Sequence, residues 1–491
     1  TAAFDAMGHS SHAREQMKAL PRRALAVEQH EDHFAMPTEA SSSGDFSLGE
    51  APYQPMRLPF IGNTLQMVRN IANPQQTLLR MCSKLRQTVR IDFGMFRNPM
   101  CVICDPQLAR RVLEADNTTF LKGPGYAAIS TVTPFHLLVT EGDEWMAKRR
   151  EVVAALHTLS AQHLSHVLLH SKRFTDRLVA THGTADVPAT VRSCALDLIS
   201  EIVLGQTLPE EQVAALRTLM DEWHLRVTDV IPLWKAGWRT MQLARARRSF
   251  FRYIGARVSL MRSGEDATAA GCLAARCWLH LSDEVLGELI FTIIAMGHEN
   301  VSSACSWALA NLCANPLAQS EVAAEVRRLP AMGFAELTAA DVDAEAMPAL
   351  DAFVRETLRM HPPIPMLSRR SAIPGAVEGL KPGDELLVNP YVLHRLPWVW
   401  TDAASFNPAR WAAREDIRTE QAYMPFGAGP RACPGRSFAL FEMKAMLVAV
   451  LQRVDLAFAN EASGAREGLF VSLRPQPFGI VATAFSGSSS G

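Results

Sequence analysis

Apolar residues recur every three or four positions through Asp143–Leu156, Val191–Leu204, Pro209–Leu225 and Arg245–Met261, the spacing that gathers them on one face of a helix. A longer helix is expected from Ser282, an N-cap followed by Asp283 and Glu284, to about Ala314, just before Pro316. Another runs from about Ala346 to Met360 and stops at His361-Pro362-Pro363, and a last one spans about Pro434–Arg453. Short β-branched runs at Thr88–Phe93 and Met100–Cys104 read as strands, as do Gly/Pro-punctuated stretches within Ala372–Leu387 and Leu469–Phe485. Neither repeats nor an internal linker interrupt this pattern. The expectation is one mainly α domain with a small β portion over residues 51–485, after a flexible polar segment, 1–50, and before a flexible tail, 486–491.

Composition narrows the partners. The chain has 491 residues, 48% of them hydrophobic, enough for a large core. A formal net charge of −1 gives no electrostatic case for nucleic acid or an anionic membrane, and the cluster Arg245-Ala246-Arg247-Arg248 reads as a solvated helix face. No run of ~18 apolar residues suggests a transmembrane anchor, and no secretory signal stands at the start, so a cytoplasmic protein is expected. Nine cysteines without framework spacing fit a reducing compartment, and Cys101-Val102-Ile103-Cys104 reads as strand core.

Two stretches carry chemistry. In Ile293-Ile294-Ala295-Met296-Gly297-His298-Glu299-Asn300-Val301 a core helix accepts a carboxylate and an amide despite the cost of taking them out of water. In Phe426-Gly427-Ala428-Gly429-Pro430-Arg431-Ala432-Cys433-Pro434-Gly435 a cysteine sits in a glycine-rich loop at the start of a helix. Free N–H groups and the helix dipole there favour a thiolate. One thiolate so placed suits the proximal ligand of a haem iron, Cys433 being the metal ligand; a nucleophile would want a base, and none is arranged in sequence around it.

That loop resembles the cytochrome P-450 signature F-x-x-G-x-R-x-C-x-G at Phe426, Gly429, Arg431, Cys433 and Gly435. Glu356-Thr357-Leu358-Arg359 resembles the family's E-x-x-R, whose third member looks like Arg410. Trp145 and Arg149 match W-x-x-x-R, which meets a haem propionate; Arg369 and Arg431 occupy further propionate positions, and His394 is a weaker candidate for that task. The resemblance covers roughly 52–480. It implies a triangular helical domain with a long distal helix over haem b and the cysteine loop before the final long helix. The polar patch then becomes the distal site, with Gly297 permitting a widened turn and Glu299 aligned with the family's proton-delivering acid. Two positions depart from the pattern: Met296 replaces the usual small residue, and Asn300 the usual threonine.

The resemblance implies a soluble, bacterial-type haem-thiolate monooxygenase that inserts one oxygen atom from O2 into a hydrophobic small molecule, by hydroxylation or epoxidation. Natural-product tailoring is one such role. Asn300, with donor and acceptor on different atoms, replaces the threonine or binds substrate. A non-monooxygenating isomerase or dehydratase stays open as the alternative, as does a low-turnover haem sensor in which Met296 meets the iron. Family position assigns the substrate pocket to Tyr126, Phe135, Ile293, Ala295, Met296, Ile364 and Met366. No nicotinamide or flavin fingerprint is present, so electrons from NAD(P)H are expected through a ferredoxin with its reductase, or a flavodoxin-type donor. The protein is expected to be a monomer.

Overall fold

The longest element begins where its cap predicts. In the computed structural model Ser282 accepts the Val285 N–H, and an unbroken helix runs Asp283–Ala314, ending at Asn315 before Pro316. The structure describes residues 46–47, 60, 62–68, 73–85, 88–94, 98–115, 118–134, 136–159, 161–228, 237–269, 271–329, 337–338, 340–372, 377–378, 384–412, 417–460, 464–469 and 472–485.

The principal helices, in chain order, are α1 (Pro74–Leu85), α2 (Pro106–Glu114), α3 (Gly142–His157), α4 (Ala161–Ala180), α5 (Val187–Leu204), α6 (Glu210–Thr228), α7 (Gly237–Ser263), α8 (Asp283–Ala314), α9 (Pro316–Val326), α10 (Pro348–Met360) and α11 (Arg436–Leu451). Several begin with one chemical device: Asp105 accepts the Leu108 N–H at 2.6 Å and Asp186 the Ala189 N–H at 3.0 Å, each with a proline in the first turn where a missing N–H does no harm. Helix α8 is apolar almost all round because it lies between two cores. One side packs with α4, α5, α10 and α11, the other with α3, α5, α6 and α7.

The main sheet has five strands: β1 (Val89–Ile91), β2 (Met100–Ile103), β3 (Phe120–Lys122), β4 (Leu367–Ser371) and β5 (Glu385–Val388), in the order β1-β2-β5-β4-β3. Only the β2–β5 pair is parallel. Cys101 and Cys104 are buried at this sheet, as core residues. A smaller sheet sets β9 (Ile480–Ala484) between β6 (Val454–Phe458) and Gly183–Thr184, and a hairpin joins β7 (Glu467–Leu469) to β8 (Leu473–Pro475).

The mainly α architecture with a small β portion is as expected, and several boundaries move. The final helix starts at Arg436 rather than Pro434, and α7 at Gly237 rather than Arg245; the expected Ala372–Leu387 strand region holds Val377–Glu378 and β5, with β4 ending just before it at Ser371; and Phe46–Ser47, inside the segment read as flexible, pairs in parallel with Val377–Glu378. Residues 1–45 and the tail 486–491 lie outside the described residues. No helix among the described residues is long and apolar enough to cross a membrane.

Glu442 on α11 is buried with no ion pair or hydrogen bond among the described residues, and burial pushes its carboxyl up to about 8. The unfolded chain loses this proton at lower pH than the folded one does. Between the unfolded carboxyl range and about pH 8 the folded state therefore binds more protons, and stability falls as pH rises. At roughly 1.4 kcal/mol per pKa unit, Glu442→Gln is expected to be a few kcal/mol more stable than the parent at pH 8. The two should converge near pH 5, as read by urea midpoints at both pH values.

Candidate active site

The cysteine loop is held from three sides. Gly429 has φ +68°, and a Cβ there would lie 2.2 Å from the Leu113 carbonyl oxygen, so only glycine lets the loop rest on α2. From α3, Arg149 donates to the Ala432 carbonyl at 2.9 Å, and Gly427 backs onto Leu367 of β4. The Cys433 N–H donates to the Phe426 carbonyl at 2.9 Å, and the Arg436 guanidinium lies 5.9 Å from the Phe426 ring. Of nine free cysteines Cys433 alone is exposed, yet burial is the dominant influence on its thiol. Burial raises the thiol, against the opposing influence of the Gly435 N–H, Arg149 and Arg436, and the helix begins three residues further on, at Arg436.

Beside the loop lies a concentration of positive charge. Lys122 of β3 stands directly opposite Arg369 of β4, a like-charge cross-strand pair. Arg431 and Arg149 complete a group of four, with Trp145 as a platform: the guanidinium of Arg431 is 4.2 Å from that ring and that of Arg149 5.7 Å. The Lys122 ammonium lies 4.0 Å from the Tyr126 ring. Glu141 is the carboxylate among them, ion-paired with Arg431 and accepting the Lys122 backbone N–H at 2.6 Å. Burial, then repulsion from Arg369 and Arg431, holds the Lys122 amine well below its usual range; burial lowers Arg431 to about 10. Among the described residues, four partly or wholly buried cations share one anion, a setting that favours further negative charge.

Helix α8 has one open face. From Leu286 to Leu312 every residue is buried except Ile293, Met296, Gly297 and Asn300, which fall at i, i+3, i+4 and i+7. Met296 and Asn300 share that face. Asn300 Oδ1 is buried with no hydrogen-bond partner among the described residues. Three expectations need correction. The helix stays α through Gly297 with no widened turn; a Cβ at Gly297 would lie 2.9 Å from Ile199 Cγ1, so the glycine serves the close approach of α5. Ala295 is fully buried and belongs to the core rather than to the open face. Glu299 turns away from the open face: it is 2% exposed, accepts from the Ser472 hydroxyl at 2.7 Å, and has Arg474 at 3.7 Å. Ile364, Met366 and Tyr126 are half-buried, while Phe135 lies outside the described residues.

The second motif forms a closed knot. Glu356 accepts from Arg359 twice at 2.9 Å, from Arg410 and Trp411 at 3.0 Å, and from the Asn407 N–H at 2.8 Å. Arg359 donates onward to the carbonyls of His394, Ala403 and Ser405. His394, a propionate candidate by sequence, is not free to act as one. Its Nδ1 bonds to the Arg359 carbonyl and its Nε2 accepts the Met424 N–H, while burial keeps the ring neutral, down to about 3.

The family model "Cytochrome P450" matches residues 52–480. The chain belongs to the cytochrome P450 family. Among curated relatives it is similar to "Cytochrome P450 4V2" of Pongo abelii, 24% identical over 456 residues and covering 84% of each chain. It is 27% identical to "Cytochrome P450 4F4" of Rattus norvegicus over 426 residues, 77% of this chain and 80% of that one. "Carotene epsilon-monooxygenase, chloroplastic" of Arabidopsis thaliana is 25% identical over 411 residues, 72% of each.

This P450 is thus a haem-dependent oxidoreductase with a thiolate-ligated iron. The residues present fit that group: an exposed cysteine in a braced loop, an apolar helix face bearing one unsatisfied acceptor, and a concentration of cations where a cofactor with two carboxylates needs them. Two members of the charged cluster, Lys122 and Glu141, are not singled out by the sequence. Lys122 has a signal only in retrospect, as the residue that strand register sets against Arg369.

Proposed function

We propose that this P450 inserts one oxygen atom from O2 into a hydrophobic small molecule lying against Ile293, Met296 and Asn300, with Cys433 as the residue that would give the haem iron its thiolate ligand. Electrons come from NAD(P)H through a separate redox partner. The observation that supports this best is the single open face of α8, apolar at Ile293 and Met296 and polar at Asn300. Haem supplies O2 binding and reductive O–O cleavage, assisted by thiolate donation. The protein's part is positional. Arg149, Arg369, Arg431 and Lys122 would hold the cofactor carboxylates, and the Cys433 loop is braced through the carbonyls of Ala432 and Phe426. Met296 and Ile293 exclude water, and the Asn300 amide orients a polar group of the substrate or a water. Glu299 stays off this face, tied to Ser472 and Arg474.

The test uses purified protein, a ferredoxin-type donor system and a panel of lipid, terpenoid and polyketide substrates under 18O2. One labelled oxygen per product and near-stoichiometric NAD(P)H use are expected. Turnover that yields only unlabelled isomers or dehydration products would overturn the reading.

The cation cluster gives a second expectation. A buried hydrogen bond between charged groups contributes about 1.5–3 kcal/mol. Lys122→Met should then speed haem transfer to apomyoglobin by about tenfold or more, while Lys122→Arg stays within a few-fold of the parent.

A further inference from the structure

Helix α11 buries a carboxyl that has no partner among the described residues. Glu442 is 5% exposed, and the residues one and two turns further along its face, Ala445, Met446 and Ala449, are buried and apolar. Across from it stand thiols: burial first, and then Glu442, raise Cys194 of α5 and Cys305 of α8 above the usual thiol range. The charged and titratable groups that the packed elements turn inward are engaged elsewhere. On α4, His170 faces Glu201 of α5 at 2.8 Å, and His163 is turned toward Arg276. On α5, Asp197 opens into the cleft that holds His170 and Glu201. On α9, Glu325 accepts the Ala349 and Leu350 N–H groups; on α10, Asp351 holds Lys444 at 2.7 Å and Glu356 holds Arg359. Glu299 of α8 is tied to Ser472, Asp455 of β6 to Arg327, and Asp341 to Thr338. Burial alone therefore acts on Glu442 and pushes its carboxyl up to about 8.

The two halves of α11 are held differently. Beyond Glu442 every residue from Met443 to Leu451 is buried, Lys444 is paired with Asp351, and Arg327 donates to the Leu451 carbonyl at 2.8 Å. Before it, Arg436 and Ser437 are exposed and Phe438 to Leu440 half-buried, and no side chain of this stretch hydrogen-bonds to another element among the described residues. Cys433 stands three residues before Arg436.

We propose that Glu442 is a proton-operated latch on the helix that follows Cys433. Protonated, it lets α11 close on α5 and α8. Once ionised it cannot stay in an apolar core without a partner. The less firmly held half, Arg436–Phe441, then parts from that core so that water reaches the carboxylate, and the loop ending at Gly435 loosens with it. The direction follows from burial and the missing partner. Between the ordinary carboxylate range and about pH 8 the open state holds one proton fewer than the closed one, so opening grows about tenfold per pH unit over that span and levels off above it. The inference rests on the reading of Cys433 as the residue that gives the iron its thiolate, and it assigns control of that residue to a group outside the site.

The test is amide hydrogen exchange on the full-length, haem-loaded protein, with Glu442→Gln as the variant that keeps the shape and does not ionise. Intrinsic exchange chemistry is nearly the same in both proteins, so the parent-to-variant rate ratio for amides 439–442 reports the latch. That ratio should rise about a hundredfold from pH 6 to pH 8 and stay level to pH 9, while amides 446–451 exchange far more slowly in both proteins. The rate at which the reduced, CO-bound protein loses its thiolate band should show the same rise in parent over variant, with recovery on return to pH 6. An exchange ratio that does not change with pH would overturn the proposal whatever the haem spectrum shows. So would an equal rise along 446–451, which is global unfolding, or band loss that follows pH alike in parent and variant. If no thiolate band exists at any pH, the reading of Cys433 falls and the exchange ratio still decides the latch. Should Glu442→Gln fail to fold, Glu442→Met makes the same comparison.

Discussion

Cys433→Ser is expected to yield a folded protein that has lost its chemistry. Loop geometry does not depend on the sulfur: the Cys433 N–H holds the Phe426 carbonyl, Arg149 holds Ala432, and Gly429 rests on α2 whatever the side chain. A serine hydroxyl in the same place stays protonated and gives iron a far weaker donor than a thiolate. The cation cluster retains some haem by its carboxylates, so pigment is reduced rather than abolished. Product formation should fall on the order of a thousandfold or more, about 4 kcal/mol of barrier at 1.36 kcal/mol per decade. The reduced protein with carbon monoxide should lose the strongly red-shifted band of a thiolate-bound haem. A serine variant that keeps both that band and its turnover would mean that the iron is held elsewhere.

Chain-local physics makes much of this fold legible. Ser282, the acids behind it and Pro316 bound α8 correctly, because caps and proline act within one helical turn. The buried Met100–Ile103 strand is likewise evident from its unbroken apolar run. The features that escape depend on partners distant in sequence. Lys122 in Phe120–Lys122 is an ordinary strand-end lysine until antiparallel register sets it against Arg369. His394 looks available until Arg359 and Met424 take both ring nitrogens. Gly297 looks like a place for a bulge, but the approach of Ile199 decides its use. Glu299 and Asn300 are adjacent in sequence and necessarily about 100° apart around the helix. The sequence motif names both, and only rotation of α8 in its core decides that Asn300 is on the open face and Glu299 is under Ser472.

Glu356→Ala should be the most destabilising single change in the chain. Glu356 and Arg359 are both fully buried, and the carboxylate satisfies five donors from α10 and the 407–411 segment. Removing it leaves the Arg359 guanidinium buried without its counter-charge and the Trp411 and Asn407 N–H groups without an acceptor. Breaking a buried pair in this way costs about 3–5 kcal/mol, against a total stability of about 5–15 kcal/mol for a typical domain. Glu356→Gln should do little better, because its amide NH2 points a donor at donors. Arg359→Lys should also fail, since one ammonium cannot reach two carboxylate oxygens and the carbonyls of His394, Ala403 and Ser405 together. That last set matters for the site. Through it Arg359 holds the 394–405 segment, and His394 in turn holds Met424, two residues before the cysteine loop begins at Phe426. The expected readouts are a urea midpoint lowered by the equivalent of several kcal/mol and haem content falling with it. A variant within about 1 kcal/mol of the parent, the range of an exposed ion pair, would show that the knot is dispensable and that the cysteine loop is positioned by α2 and α3 alone.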